Sequence, residues 1–316
     1  MGDVLMNLPA IGLLRQNFPK AWITLLADRS VAGLFSGHAD LDEVMEVDAL
    51  ALSKDARARR DLKRRVRQAR YDLAVVSNPG KFFHFLCFAC RIPLRVGWRR
   101  KWPFLLNRSL PDKKDEGLVH EIDSNLSLVR LVCPKTSWDG RVRLTVDETA
   151  SREVKQLLDD SGVFGKIVVL HASSSRPEKK WPSANYAELC RRLRSNKDLS
   201  TVLIGTEGEK AEADQIIRSS GGAALNLCGK LSLKQLVAFF NEARVRALIS
   251  SDSGPVHVAW MCGKPVVAFY AADVPGSNPT RWGPRDGRSQ VLFKPIRDIR
   301  VEEAWEALGR VLKNDP

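Results

Sequence analysis

Residues 247–270 constrain the fold of this chain more than any other stretch. Two short, bulky apolar runs, 245–249 and 265–269, have strand length, and 256–262 between them is long enough for two helical turns. The pattern predicts one βαβ unit. Its first turn suits an anion: Ser253 or Asp252 can cap the helix, Gly254 lets a ligand approach the backbone, and Pro255 fits the first helical turn. The free amides and positive dipole end of the helix then face whatever sits above the strand. Many α/β proteins carry such a turn with no ligand, so its meaning depends on the loops that accompany it.

At 316 residues the chain exceeds the usual single-core limit. Strands alternate with helices throughout, which predicts two α/β domains, 1–140 and 141–316. A hydrophobic content of 44% supports real cores. No apolar run reaches the roughly 18 residues of a membrane span, and Met1-Gly2-Asp3 lacks the basic start and apolar block of a signal peptide. A cytosolic location is expected. Six cysteines are scattered at 87, 90, 133, 190, 228 and 262, mostly in apolar segments, which suits core thiols better than a disulfide framework. Cys87 and Cys90 form a C-x-x-C, but no second pair stands at zinc spacing, so a buried helix is the better account than a metal site.

The net charge of +13 is concentrated. Residues 54–114 hold 18 Lys and Arg against 4 Asp and Glu, leaving 32 basic and 33 acidic residues in the rest of the chain. Such a local surplus faces a local polyanion, for which nucleic acid, a phosphorylated lipid and an anionic membrane all qualify.

In chain order, 4–17 is expected to be a helix kinked at Pro9, followed by strands at 22–26 and 44–47. Asp40-Leu41-Asp42 has the form of a metal-binding D-x-D but precedes a strand, so a solvated loop is expected. Residues 54–70 form a helix with a basic stripe of Arg57, Arg60, Arg64 and Arg67 and a narrow apolar one of Leu62, Val66 and Ala69. This helix is either a solvated surface element or an anion-facing one. A strand at 72–76 ends in the turn 77–80, and 91–108 sets Arg95, Arg99, Arg100 and Lys101 around Trp98 and Trp102. A helix over 120–132 leads to an expected linker at 133–141, where Pro134, Asp139 and Gly140 break periodicity.

The second half repeats the alternation more cleanly, with strands at 166–171 and 200–204, helices at 184–195, 207–219 and 233–241, then the opening unit and a closing helix at 301–313. The pattern is that of a doubly wound sheet. After the strand at 167–170, residues 171–182 supply Ser173, Ser174 and Ser175 with Lys179 and Lys180, hydrogen-bonding groups suited to a diphosphate. Past the next strand, Glu207 offers a carboxylate for the paired hydroxyls of a ribose. Loops 171–181, 205–207 and 251–257 open on one edge if the sheet is parallel, and together they describe a nucleotide-diphosphate site.

With these residues in view, the chain resembles the heptosyltransferases of glycosyltransferase family 9, which build the inner core of bacterial lipopolysaccharide. The resemblance spans nearly the whole chain. It rests on Gly2-Asp3-Val4-Leu5 with Leu8-Pro9-Ala10, on Lys179-Lys180-Trp181-Pro182, and on Asp252-Ser253-Gly254-Pro255 with His257, followed by Gly263-Lys264-Pro265. It implies two Rossmann-like doubly wound domains facing across a cleft (the GT-B fold), ADP-heptose as donor, a Kdo or heptose acceptor, inversion at the sugar carbon, and no cofactor or metal.

By motif, the resemblance makes Asp3 the general base, Ser173, Ser174 and Lys179 the diphosphate contacts, Glu207 the ribose contact, and Asp252, Ser253, Gly254 and His257 the donor-side turn. Arg60, Arg64, Arg95 and Arg99 are the candidates for a phosphorylated glycolipid acceptor at the anionic inner face of the inner membrane. The plain alternative for Asp3 is a helix N-cap. Three other functions compete: a related transferase with another nucleotide sugar or later acceptor, a non-catalytic remnant that binds nucleotide sugar, and a nucleic-acid binder, which would leave the diphosphate loops idle. One departure from the family stands out. Relatives place an apolar strand before the Gly-Asp turn, whereas here Met1 adjoins Gly2. The first strand of the N-terminal domain is therefore expected to be missing, and the true start to lie roughly ten residues upstream, because in a doubly wound sheet that strand is central.

Overall fold

The computed structural model describes residues 1–138, 140, 142, 144–174, 176–222 and 224–313. Asp139 and Arg141 of the expected linker and Ser175 of the expected phosphate loop lie outside the described residues. The chain forms two compact units, Asp3–Val142 and Arg143–Pro316.

The first unit runs α1 (Gly2–Leu5), α2 (Leu8–Asn17), β1 (Thr24–Asp28), α3 (Arg29–Ala32), β2 (Glu43–Val47), α4 (Ala49–Lys54), α5 (Ala56–Ala69), β3 (Leu73–Val76), α6 (Lys81–Ala89), β4 (Leu94–Trp98), β5 (Arg108–Leu110) and α7 (Glu121–Val129). The single kinked helix expected at 4–17 is two helices. The break follows from Pro9, whose ring would collide with the carbonyl of Leu5 in a continuous helix; α1 ends at Leu5 and Pro9 sits in the first turn of α2. Strand β1 begins two residues later than its pattern suggested, leaving Trp22 exposed.

Helix α5 confirms its two faces. Asp55 caps it by accepting from the Arg57 amide, and Leu62 and Val66 are buried while Arg60 and Arg64 are exposed; Ala69 is exposed too. All strand pairs in this unit are parallel, but they form two sheets, β1–β2 and β3–β4–β5. Neither β1 nor β3 has a second strand partner among the described residues. Cys87 lies in the core between α5 and α6, where burial pushes its thiol up to about 11; burial also raises Cys90, and all six cysteines are free thiols.

The second unit runs α8 (Glu148–Asp160), β6 (Lys166–His171), α9 (Ser183–Arg194), β7 (Leu199–Leu203), α10 (Lys210–Ser219), β8 (Leu225–Asn226), α11 (Leu233–Asn241), β9 (Val245–Ser251), α12 (Gly254–Met261), β10 (Val266–Ala271), α13 (Pro279–Trp282), β11 (Gln290–Lys294) and α14 (Val301–Lys313). Its six strands make one all-parallel sheet in the order β11–β10–β9–β6–β7–β8. The chain winds outward from β6 through β7 to β8, then returns to the other side of β6 and winds outward again. The topological switch point therefore falls between β6 and β9, and ligands of open α/β sheets bind outside the carboxyl ends of such strands. Both central strands are buried almost throughout, as a sheet covered on both faces requires. No helix among the described residues is long and apolar enough to cross a membrane.

Candidate functional site

At the switch point, β6 ends in His171 and β9 in Ser250 and Ser251, and the register pairs His171 with Ser250. His171 Nδ1 lies 3.0 Å from Ser250 Oγ and 3.3 Å from Ser253 Oγ, and the two serine oxygens are 3.0 Å apart. The Ser250 hydroxyl donates its proton to the Ser251 carbonyl at 2.8 Å, so towards His171 it accepts. Burial holds the imidazole pKa well below its ordinary value, at about 4, and the ring is neutral at pH 7.

Ser253 is the N-cap of α12 by position, yet its side chain makes no cap hydrogen bond. Its hydroxyl turns instead towards His171 and Ser250. The first amides of α12 are thus not consumed by the serine side chain, and a helix start of this kind attracts negative charge.

The loop between β6 and α9 is anchored by Trp181. That indole is fully buried against Tyr186 and Phe269, with ring centroids 4.9 and 4.7 Å away, and its Nε1 donates to the Ile299 carbonyl at 2.8 Å. Its amide donates to Ser251 Oγ at 3.3 Å, and the Tyr186 hydroxyl donates to the His171 carbonyl at 3.1 Å. With Trp181 fixed, the 3₁₀ turn Pro177–Lys179 delivers Lys179 to the end of β9, where its Nζ donates to Asp252 Oδ2 at 2.7 Å. Lys180 pairs with Glu212 on α10. Ser174 Oγ accepts from the Arg176 amide at 3.3 Å, and Arg176 reaches the Pro275 carbonyl at 2.9 Å.

Beyond β7, Thr206 opens a 3₁₀ turn, Glu207–Glu209, with a reciprocal capping box between Thr206 and Glu209. The two carboxylates of this turn differ sharply. Glu207 has 72% of its side chain exposed and stands 3.5 Å from Lys210, whereas Glu209 Oε2 accepts from the Thr206 amide at 2.6 Å and lies 3.9 Å from His171 Nε2. Burial works against ionisation of Glu209, but hydrogen bonds from Ser173 and Thr206 and the nearby His171 hold its carboxyl below the usual range. Glu209 lines a small cavity with Ala172, Ser173 and Cys228. Gly205 makes room for it, since a Cβ there would stand 2.5 Å from Glu209 Oε2 and 3.1 Å from Cys228 Sγ.

The structure therefore brings together Ser173, Lys179, Asp252 and Ser253, with Gly254 starting α12. Ser174 sits on the same loop. His257 is buried within α12, its ring centroid 6.2 Å from that of Trp282. Glu207, on the next loop, is largely exposed and stands near Lys210. Sequence reasoning did not identify His171, Ser250 and Glu209; only the strand register and the 3₁₀ turn align them.

In the first unit, Asp3 is exposed in the first turn of α1, which makes it a helical residue and not the cap, and its carbonyl accepts from Asn7 Nδ2 at 2.7 Å. Asn125 donates to the neighbouring Met6 carbonyl at 3.1 Å, fixing the turn between α1 and α2. Asn125 also faces the ammonium of Lys114, which pairs with the buried Glu121. Arg60 and Arg64 are exposed on α5, Arg64 pairing with Asp61, and Arg99 is exposed after β4. Arg95 is engaged by the fold, donating to the carbonyls of Leu105 at 2.7 Å and Ile92 at 2.5 Å. Of the D-x-D pair, Asp42 accepts from Arg15 at 2.5 Å and from the Ile23 amide at 2.7 Å, bonds that lower its pKa.

Comparisons with known proteins carry the same pattern. Residues 59–299 match the sequence profile of glycosyltransferase family 9 (heptosyltransferase). Lipopolysaccharide heptosyltransferase 2 of Escherichia coli K12 is 25% identical over 335 residues, covering 99% of this chain and 91% of that protein. Among solved structures, the glycosyl transferase family 9 protein from Veillonella parvula superposes with a TM-score of 0.88 at 21% identity, covering 99% of this chain and 94% of that one. The E. coli ADP-heptose lps heptosyltransferase II superposes with a TM-score of 0.79 at 22% identity, covering 99% and 96%. The fold is the GT-B type of these structures.

Proposed function

The chain belongs to glycosyltransferase family 9, and from that premise we propose that it moves heptose from ADP-heptose to the inner core of lipopolysaccharide, inverting the sugar carbon without a metal. The observation that carries this reading is the convergence of Lys179, Asp252, Ser173, Ser253 and the start of α12 at the switch point of the six-stranded sheet. The hydroxyls, the amides and the ammonium, which the Asp252 carboxylate holds, are the chemistry that binds a diphosphate.

In the proposed reaction the acceptor hydroxyl attacks the anomeric carbon as the bond to the ADP phosphate breaks. The hydroxyl proton passes to the Asp3 carboxylate, the general base. The negative charge left on ADP grows in the transition state, and Lys179 with the amides of α12 stabilises it. Asp252 holds the Lys179 ammonium in position, so little reorganisation is needed when the donor arrives. A phosphorylated glycolipid acceptor at an anionic membrane face suits the exposed Arg60, Arg64 and Arg99, whereas Arg95 acts through the fold of its loop.

The test is incubation with ADP-heptose and core acceptors of increasing length, with products weighed by mass spectrometry. The expected result is one added heptose on a Kdo- or heptose-terminated acceptor, with free ADP released. No mass gain on any core acceptor, with ADP-heptose left intact, would overturn the reading.

A further inference from the structure

Apart from Trp22, the described residues of the first unit expose four large aromatic side chains that its core does not use. Phe85 and Phe88 on α6 are 46% and 50% exposed, and Trp102 and Phe104 are 43% and 76% exposed. Lys81, Phe85 and Phe88 recur at i, i+4 and i+7, one stripe along α6, while His84, Leu86 and Cys87 are buried. The segment bearing Trp102 is tied to this helix, because His84 Nδ1 donates to the Lys101 carbonyl at 2.8 Å. Trp102 and Phe104 lie 6.4 Å apart, and Lys81 Nζ stands 5.6 Å from the Trp102 ring. The four rings thus occupy adjoining elements of one surface.

Two further observations say what this surface meets. Lys101 and Trp102 are consecutive non-glycine residues in the left-handed region, with φ of 49° and 61°. That conformation is costly for side-chain-bearing residues, and a turn that keeps it in order to present a tryptophan to solvent points to use outside the fold. The rings are also attended by cations. Lys63 Nζ lies 6.0 Å from the Phe85 ring and Arg95 Cζ 5.6 Å from the Phe88 ring, within the stretch 54–114 that holds 18 basic and 4 acidic residues. Aromatic side chains ringed by Lys and Arg match the layered chemistry of a bilayer surface, apolar at acyl depth and anionic at the headgroups. A protein partner is a poorer match, since protein interface cores are depleted of lysine.

We infer that Phe85, Phe88, Trp102 and Phe104 seat in the interfacial layer of an anionic bilayer, with the neighbouring Lys63 and Lys81 on the lipid phosphates. The inference rests on the membrane contact in the proposed function and adds an apolar anchor to it. Charge alone is screened by salt, whereas buried rings are not.

The experiment is co-sedimentation of the full chain with vesicles of phosphatidylcholine, alone or mixed with phosphatidylglycerol, with no sugar donor present. The wild-type chain is expected to bind the anionic vesicles and to keep part of that binding at about 0.5 M salt, where ionic contacts are strongly screened. Phe85→Ser with Phe88→Ser and Phe104→Ser should lower the partition coefficient at least about tenfold, from the apolar area no longer buried. It should also abolish the salt-resistant fraction and leave ADP affinity unchanged. Trp102→Phe, which keeps an anchor, should bind as wild type but lose most of the emission quenching caused by brominated lipids. Equal binding of the triple variant and wild type at every salt concentration would overturn the inference. So would loss of self-association in the triple variant with vesicle binding intact, because the rings would then serve a second copy of the chain. Transfer activity enters none of these readouts, so failure of the transferase reading would show only in the product assay.

Discussion

The Lys179 ammonium sits 2.7 Å from the Asp252 carboxylate at the carboxyl edge of the second unit's sheet, with 11% and 9% of the two side chains exposed. Removing one partner of so enclosed a pair strands the other. Lys179→Ala is therefore expected to cost about 3–5 kcal/mol of stability and to weaken both ADP and ADP-heptose. Lys179→Ala with Asp252→Ala should regain much of the stability and none of the affinity. Calorimetric melting beside ADP titration separates the two effects, and full recovery of affinity in the double variant would remove Lys179 from the diphosphate site.

Asp3→Asn keeps the size of the side chain and removes the base. Donor binding should survive while turnover falls about 10²–10⁴-fold. A loss below about threefold would take Asp3 out of the mechanism. Chelator should leave the rate of the wild-type protein unchanged, and recovery of a chelated rate by added Mg²⁺ would point to a metal in the reaction.

The two carboxylates of the 3₁₀ turn make separable predictions. Glu209 is held by Thr206 beside Ser173, and Glu207 faces solvent. On this geometry Glu209→Gln should weaken the donor by roughly 1–3 kcal/mol, the cost of a lost partner at a partly buried site, while Glu207→Gln changes affinity little. Gly205→Ala should resemble Glu209→Gln, because its new Cβ would displace that carboxylate. The opposite ranking in an ADP titration would assign the ribose to Glu207.

Stability should depend on pH through His171 and Glu209. Burial depresses the His171 pKa from 6.5 to about 4, so between these values the unfolded chain binds a proton that the folded chain refuses. Stability is then fully present above about pH 6.5 and is lost as pH falls towards 4. The lowered Glu209 pKa acts in the same direction at the acid end of that window. His171→Gln should flatten the slope of melting temperature against pH between 6.5 and 4, and an unchanged slope would show that the imidazole is not desolvated.

Arg60→Glu with Arg64→Glu should weaken binding to anionic vesicles, each basic residue near such a surface being worth about 1 kcal/mol, and should flatten the salt dependence. Affinity for ADP should not move. Vesicle binding unchanged at low salt would make α5 a solvated helix.

Much of the second unit was legible in the sequence because its elements are strongly patterned. The spans of β6, α11 and α14 were read to the residue, each being either a continuous buried strand or a helix with a clear apolar face. Helix α8 went unread because its buried stripe is only Ala150, Val154 and Leu158 within a charged run. Strand β11 is an edge strand with little burial, and β8 has two residues, so neither shows a pattern. At the site, Lys179, Asp252 and Ser253 were found because they lie in local motifs. The contact between His171 and Ser250 spans 79 positions and exists only through the pairing of β6 with β9. Pro9 ends the preceding helix outright, a stronger effect than the kink its place in the sequence suggests.

The division of the first unit's strands between two sheets bears on how that unit breathes. A central strand exchanges its amide protons only when a whole sheet opens, whereas an edge strand can release them by fluctuations of its own. Among the described residues, four of the six strands of the second unit have neighbours on both sides, and in the first β4 alone does. Deuterium should therefore enter β1, β2, β3 and β5 far ahead of β6 and β9. The first unit would then soften first on warming, while the six-stranded sheet of the second keeps its amides protected.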